Sequence, residues 1–213
     1  MYFSSFFKGK IITQAESKYS GQVQVIEYPV GNRKIVAGNI LQSGGLIKQI
    51  WHKPIKKIKS KNLELKTILL LGLAGGTVIK LINKNWSQAK VTALEIDPVM
   101  INLAQKYFDI NSSPNLKIIQ ADAFTWLDKT EQQFDLVLVD IYCGGQVENK
   151  FYTRKFLTDL KKHLNPRGLL VVNHLFYDEC KNKAEKFIKL AEKNFSQAEL
   201  IRNLSNLFIF LDE

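Results

Sequence analysis

The side chains best placed to do chemistry in this chain are acids at the ends of apolar runs. Glu95 follows the run 91–94, Asp122 lies just past 116–119, and Asp140 follows 134–139. A further apolar run, 68–71, opens into the turn Gly72-Leu73-Ala74-Gly75-Gly76, after which Val78, Leu81 and Ile82 recur at helical spacing. This pattern reads as strand, tight turn and helix. Glycine and alanine let a backbone approach a ligand closely, and the first turn of the next helix presents unpaired N–H groups beside it. An acid about 20 residues further on, at the tip of the next strand, is placed to accept hydrogen bonds from both hydroxyls of a ribose. Glu95 stands there, so the stretch 67–95 reads as a nucleoside site.

Each signal taken singly is weak. Glycine at a strand-to-helix turn often serves packing alone, and these glycines do not follow the G-x-G-x-x-G spacing of dinucleotide sites. An acid after a strand commonly caps the next helix. In an open parallel sheet, however, ligands sit beyond the carboxyl ends of the strands. Gly72, Glu95, Asp122 and Asp140 fall at four such ends in succession, and together they describe a site.

The elements that must position them alternate from residue 63 onward, which implies an α/β unit with a parallel sheet and crossover helices. Asp97-Pro98 starts a helix whose stripe is Met100, Leu103, Ala104 and Tyr107. A short helix is expected over 124–127, and a longer one over 151–164, stopped by Asn165-Pro166-Arg167-Gly168. A fifth strand over 169–172 ends at Asn173-His174. A last helix carries Ala184, Phe187, Ile188 and Ala191, and a closing strand over 207–211 runs antiparallel to its neighbours. His174 reads as a buried, hydrogen-bonded histidine, and Cys143 as packing.

Residues 1–62 differ in texture. Alternation over 22–28, a turn at 29–32, a short strand at 33–37 and the segment Ile40-Leu41-Gln42 predict a small antiparallel β unit. A helix or extended linker follows, with Pro54 near its start. The lysine run Lys53, Lys56, Lys57, Lys59, Lys61 and Lys66, opposed by Glu64 alone, reads as a solvated face, because no aromatic platform is interleaved with it. The expected organisation is a β unit plus basic linker over 1–62 and a nucleoside-binding domain over 63–213.

Composition limits the function classes. At 213 residues and 46% apolar, the chain can bury one ordinary core. No apolar run approaches the roughly 18 residues of a membrane span, and MYFSSFFKGK lacks the apolar core and cleavage site of a signal peptide. Cys143 and Cys180 have no metal-ligand spacing, so no metal is expected, and a cytoplasmic location is the default. The net charge of +10 raises nucleic acid as a partner, ranked below a small molecule.

The segments LLLGLAGGTVIKLI, VTALEIDPVMINLAQKYF, IIQADAFTWL, FDLVLVDIYCGG and FLTDLKKHLNPRGLLVVN resemble, in order, the spermidine synthase family and the wider class I S-adenosylmethionine-dependent methyltransferase fold. SKYSGQVQVIEYPVGNRKIVAGNILQSGG is similar to the small N-terminal β unit of spermidine synthases. The resemblance implies a Rossmann-like sheet binding S-adenosylmethionine or its decarboxylated form without a metal. It implies that Gly72, Ala74, Gly75 and Gly76 lie against the methionine-like tail, that Glu95 holds the ribose, and that Asp122 with the N–H of Ala123 reads the adenine edge. Gln42 matches a glutamine that touches the nucleoside. Asp140 matches the acid that accepts the attacking amine's proton, a fitting role because displacement at a sulfonium carbon needs a neutral nitrogen. Tyr142 either orients the nucleophile or covers the adenosine.

The departures concern the acceptor. Spermidine synthases carry an aspartate where this chain has Gly75, and a second where it has Cys143. Their acid- and histidine-rich segment is shortened to GGLIKQIWHKP, in which His52 could replace their histidine. A polyamine carries several positive charges and needs carboxylates, yet in the loop 141–150 only Glu148 remains. The expectation is therefore a transferase that moves a methyl group to an amine or other nucleophile. The alternatives are an aminopropyltransferase with an altered acceptor site, a non-catalytic nucleoside-binding or scaffold protein forming a homodimer through its β unit, and a nucleic-acid methyltransferase.

Overall fold

The computed structural model describes residues 9–142 and 149–212. Cys143, Gly144, Gly145 and Glu148, singled out in the sequence, lie outside the described residues.

Two sheets organise the chain. β1 (Lys10–Ser17), β2 (Gly21–Glu27), β3 (Arg33–Ala37) and β4 (Ile40–Ser43) form an antiparallel meander in that order. Val23, Val25, Ile35 and Ala37 bury its inner face, as the alternation predicted. β1 carries no comparably apolar alternation and is not legible in the sequence. Ile35 pairs with Ser43 but Val36 with Leu41, so Gln42 is the extra residue of a β-bulge. Such a bulge redirects a side chain; here it turns Gln42 into the cleft described below.

α1 (Gly45–Ser60) follows. The sequence placed Pro54 near a helix start, but it lies in the interior. Proline there strips the carbonyl four residues back of its partner. The amide of Asn203 supplies one, donating at 2.8 Å to the Ile50 carbonyl and at 2.8 Å to that of Gln49. The lysine run is also not purely solvated. Lys61 reaches Glu199 at 2.8 Å and Asp212 at 2.7 Å, and Lys57 pairs with Glu199, so the end of α1 is tied to the last two strands.

The main sheet runs β10 (Gln197–Asn203), β11 (Asn206–Asp212), β9 (Leu164–Leu175), β8 (Phe134–Val139), β5 (Thr67–Leu71), β6 (Lys90–Glu95), β7 (Leu116–Gln120). β5 to β9 are parallel, while β11 runs antiparallel to both β9 and β10. β10 was missed in the sequence because it is an edge strand with Leu200 exposed. The turn signals at 165–168 do not precede a new strand. They form an irregularity within β9, between the pairings Phe134 to Leu164 and Leu136 to Leu169, with Arg167 at φ 64°. The preceding helix is correspondingly shorter, α5 (Arg154–Lys162), capped by Thr153.

The remaining helices are α2 (Thr77–Asn85), α3 (Pro98–Tyr107), α4 (Ala123–Leu127) and α6 (Asp178–Glu192). Cores lie on both faces of the sheet, around Ile68, Leu70 and Leu138 on one side and Leu69, Val137 and Ile209 on the other. Asp97, 1% exposed, caps α3 through the Val99 N–H as expected. Its other oxygen accepts from Ser17 at 2.6 Å and Ser20 at 2.7 Å, which fastens the small sheet to the large one. Ser43 and Thr77 share a hydrogen bond of 2.6 Å, which ties β4 to the start of α2.

Candidate active site

The strand order reverses its progression at β5, between β6 and β8, and the four signal residues converge beyond the carboxyl ends there. Gly72, Glu95, Asp122 and Asp140 line one cleft, together with Ala74, Ala123, Tyr142 and Gln42. A second cavity, of about 200 Å³, adjoins it. Gln42, Ala74, Asp140 and Tyr142 line both.

Gly72 sits at φ +96°, and a Cβ there would stand 2.1 Å from the Asp140 carbonyl oxygen. Its N–H donates to the Leu94 carbonyl, and that of Asp140 to the Leu71 carbonyl. Only glycine permits this approach of two strand tips. Gly75 and Gly76 do not line the cleft. A Cβ on Gly75 would lie 2.5 Å from the Ser43 side chain, and one on Gly76 2.3 Å from Ile110. They serve packing, and the space an aspartate would need at position 75 is taken by Ser43.

Glu95 bends back under the glycine-rich turn. Oε2 accepts from the Leu73 N–H at 3.1 Å and the Ala74 N–H at 3.0 Å, and Oε1 from the Asp97 N–H at 3.0 Å. Burial raises its carboxyl above the ordinary range against the pull of these three donors. Three of roughly four acceptor positions are filled. One acceptor position is left open toward the cleft.

Asp122 caps α4, accepting from the Thr125 N–H at 3.0 Å, and meets the Lys150 ammonium at 2.9 Å. Desolvation pushes its carboxyl up, but the Thr125 N–H and Lys150 outweigh it and hold it below the usual range. Lys150 was not singled out in the sequence. Its ammonium lies 5.1 Å from the Phe124 ring centre and 5.4 Å from that of Phe151. Any donor that reaches this carboxylate from the cleft has to share it with Lys150.

Asp140 is held by two donors. Trp51 Nε1 donates to Oδ2 at 3.1 Å and Asn173 Nδ2 to Oδ1 at 2.8 Å. Asn173 is fixed in turn by Asn206, whose amide donates to its Oδ1 at 2.9 Å. Desolvation still dominates and pushes the Asp140 carboxyl up to about 6. That value suits a group that takes a proton near neutrality. The Tyr142 hydroxyl donates to the Asn173 carbonyl at 2.9 Å, and burial, reinforced by Asp140, holds its proton well beyond the ordinary phenol range. Tyr142 therefore lines both cavities as a neutral phenol.

Of the expectation for His174, burial holds and hydrogen bonding does not. His174 is 2% exposed but lines neither cavity, and neither ring nitrogen has a hydrogen-bond partner among the described residues. It packs between Tyr152 and Phe187, at 5.1 Å and 4.8 Å, and burial lowers it to about 4, so it is neutral. His52 is on the exposed face of α1 and lines neither cavity. From that segment Leu46, Ile47, Ile50 and Trp51 line the second cavity, and Trp51, 0% exposed and edge-on to Phe208 at 4.9 Å, is the one that bonds Asp140.

The sheet order, its antiparallel β11 and the site at the strand tips define a Rossmann-like domain of the class I methyltransferase type. The model of the spermine/spermidine synthase domain matches residues 47–209, and the chain belongs to that family. A polyamine aminopropyltransferase of Vibrio vulnificus is 31% identical over 109 residues, 50% of this chain and 36% of that protein. An eEF1A lysine and N-terminal methyltransferase homolog of Drosophila melanogaster is 29% identical over 126 residues, 54% of this chain and 18% of that protein. The chain thus spans well under half of these relatives. Among solved structures, a probable spermidine synthase from Corynebacterium glutamicum superposes with a TM-score of 0.84 at 17% identity, covering 95% of this chain and 80% of its own. Human Methyltransferase-like protein 13, solved with SAH, gives 0.63 at 20% identity, covering 71% and 72%. No helix among the described residues is long and apolar enough to cross a membrane.

Proposed function

We propose that the chain is a transferase that binds S-adenosylmethionine, or its decarboxylated form, in the strand-tip cleft and passes a group from its sulfonium centre to a nucleophile in the adjoining cavity. The observation that carries this reading is the sharing of Asp140, Gln42, Ala74 and Tyr142 by the two cavities. A donor's reactive carbon and an acceptor's nucleophile would meet there. The glycine-floored turn at Gly72 accommodates a close ligand backbone, and Glu95 offers the ribose an acceptor. The bound nucleoside would supply an electrophilic carbon. Asp140, with its raised affinity for protons, would orient the acceptor and take its proton.

Methyl transfer is preferred. Among the described residues, Asp140 is the only acid lining the second cavity, where a polyamine would need a carboxylate for each distal ammonium. The second reading, aminopropyl transfer, is supported by the family and by the name of the Vibrio vulnificus relative. Isothermal titration separates them. S-adenosylmethionine binding without decarboxylated S-adenosylmethionine and putrescine supports the first, and the reverse result abandons it.

A further inference from the structure

The second cavity has a composition of its own. Leu41, Leu46, Ile47, Ile50, Trp51 and Leu175 form most of its wall, and at its inner end stands Asp140. Its other polar groups are neutral, chiefly Asn173, Ser205 and Asn206. Leu46 is 45% exposed and Ile40 39%, so the apolar lining continues to the mouth. At about 200 Å³ it is smaller than the 300–1,000 Å³ of a site for a drug-sized ligand.

We propose that the acceptor is a primary monoamine on a short apolar body, an alkyl or arylalkyl amine, with its nitrogen at Asp140 and its hydrocarbon against α1 and Leu175. This rests on the transferase reading above and names the acceptor class of the same site. One charge is matched by the one carboxylate among the described lining residues, and a second ammonium would lie against leucine and isoleucine with no partner among them. The bound ammonium gives one proton to the Asp140 carboxylate. The neutral amine's lone pair then forms the new bond to carbon as the carbon–sulfur bond breaks with its electrons to sulfur, and the product leaves as a charged secondary amine.

The test is calorimetric titration of the full chain. S-adenosylhomocysteine and methylthioadenosine are titrated first; if neither binds, the transferase reading itself fails. With the bound nucleoside saturating, propylamine, butylamine, pentylamine, hexylamine and putrescine follow. The expected result is a gain of about fourfold per methylene along the monoamines, from the free energy of burying each one, with putrescine at least tenfold weaker than pentylamine. Putrescine binding as tightly as pentylamine, or no monoamine binding while the nucleoside is bound, overturns the proposal. Leu46→Asp, at a half-exposed position where folding is not at risk, should then shift the preference at least tenfold toward putrescine. An unchanged ratio also overturns it, since the apolar wall would not be what excludes the second charge.

Discussion

Trp51 Nε1 lies 3.1 Å from Asp140 Oδ2, so a helix that precedes the main sheet supplies one of the two hydrogen bonds that steady the acid at the tip of β8. This bond favours the charged form and works against desolvation. Trp51→Phe keeps an aromatic ring against Phe208 but removes the donor. The Asp140 carboxyl should then titrate above its present value of about 6, which ¹³C NMR of the aspartate carboxyls reads directly. A turnover assay should show the acid limb of the pH profile displaced upward and activity recovered by raising the pH. The stability cost should be about 1–2 kcal/mol for one lost hydrogen bond and a smaller ring.

Asp140→Asn tests the base. Both of its oxygens face donors, so the new amide NH₂ must confront either Trp51 or Asn173. Relief of a buried charge offsets that conflict, and the net stability change at pH 7 should stay within about 1–2 kcal/mol. Turnover should fall at least about 100-fold while nucleoside affinity persists. Because the folded-state carboxyl is raised, its contribution to stability is present in full below the ordinary carboxylate value and is lost as pH rises toward about 6. Urea titrations across that window should show this slope in the parent chain and its absence in the variant.

Glu95→Gln retains shape but sets an amide NH₂ against either the Asp97 N–H at one oxygen position or the Leu73 and Ala74 N–H groups at the other. A hydrogen bond to a charged acceptor is worth about 1.5–3 kcal/mol. Nucleoside affinity should weaken about 10- to 100-fold in calorimetry. Unchanged affinity would place the ribose elsewhere.

Asp97→Ala removes a helix cap and two hydroxyl bonds that join the sheets. The cap alone is worth about 1 kcal/mol, and the loss leaves Ser17 without its buried acceptor. Equilibrium urea unfolding should show a loss of about 2–4 kcal/mol. A loss below 0.5 kcal/mol would mean that the two sheets are held together elsewhere.

The strand-tip cleft is local in sequence, and so most of it could be read there. Gly72, Glu95, Asp122 and Asp140 each end a strand whose apolar run is visible, and parallel order alone aligns their tips. What escaped depends on contacts across the chain. Trp51 looked like one apolar residue in a lysine-rich stretch, because nothing nearby shows that α1 aims it at a residue 89 positions later. Asn173 was visible as a strand end, but its hydrogen bond to Asp140 depends on β8 and β9 pairing in this register. Gln42 owes its direction to a bulge. Gly75 and Gly76 look the same as Gly72 in sequence; their different roles follow from Ser43 and Ile110 packing against them.

The two cavities draw their walls from different stretches of chain. The first is built largely by residues 72–142, and the second by 40–51 and 173–206, with only four side chains in common. On the proposed transferase reading, substitutions at Leu41, Leu46, Ile47 and Leu175 would reshape the second cavity while leaving the residues that hold Asp140 in place. Trp51 and Asn173, by contrast, couple the two walls through its carboxylate.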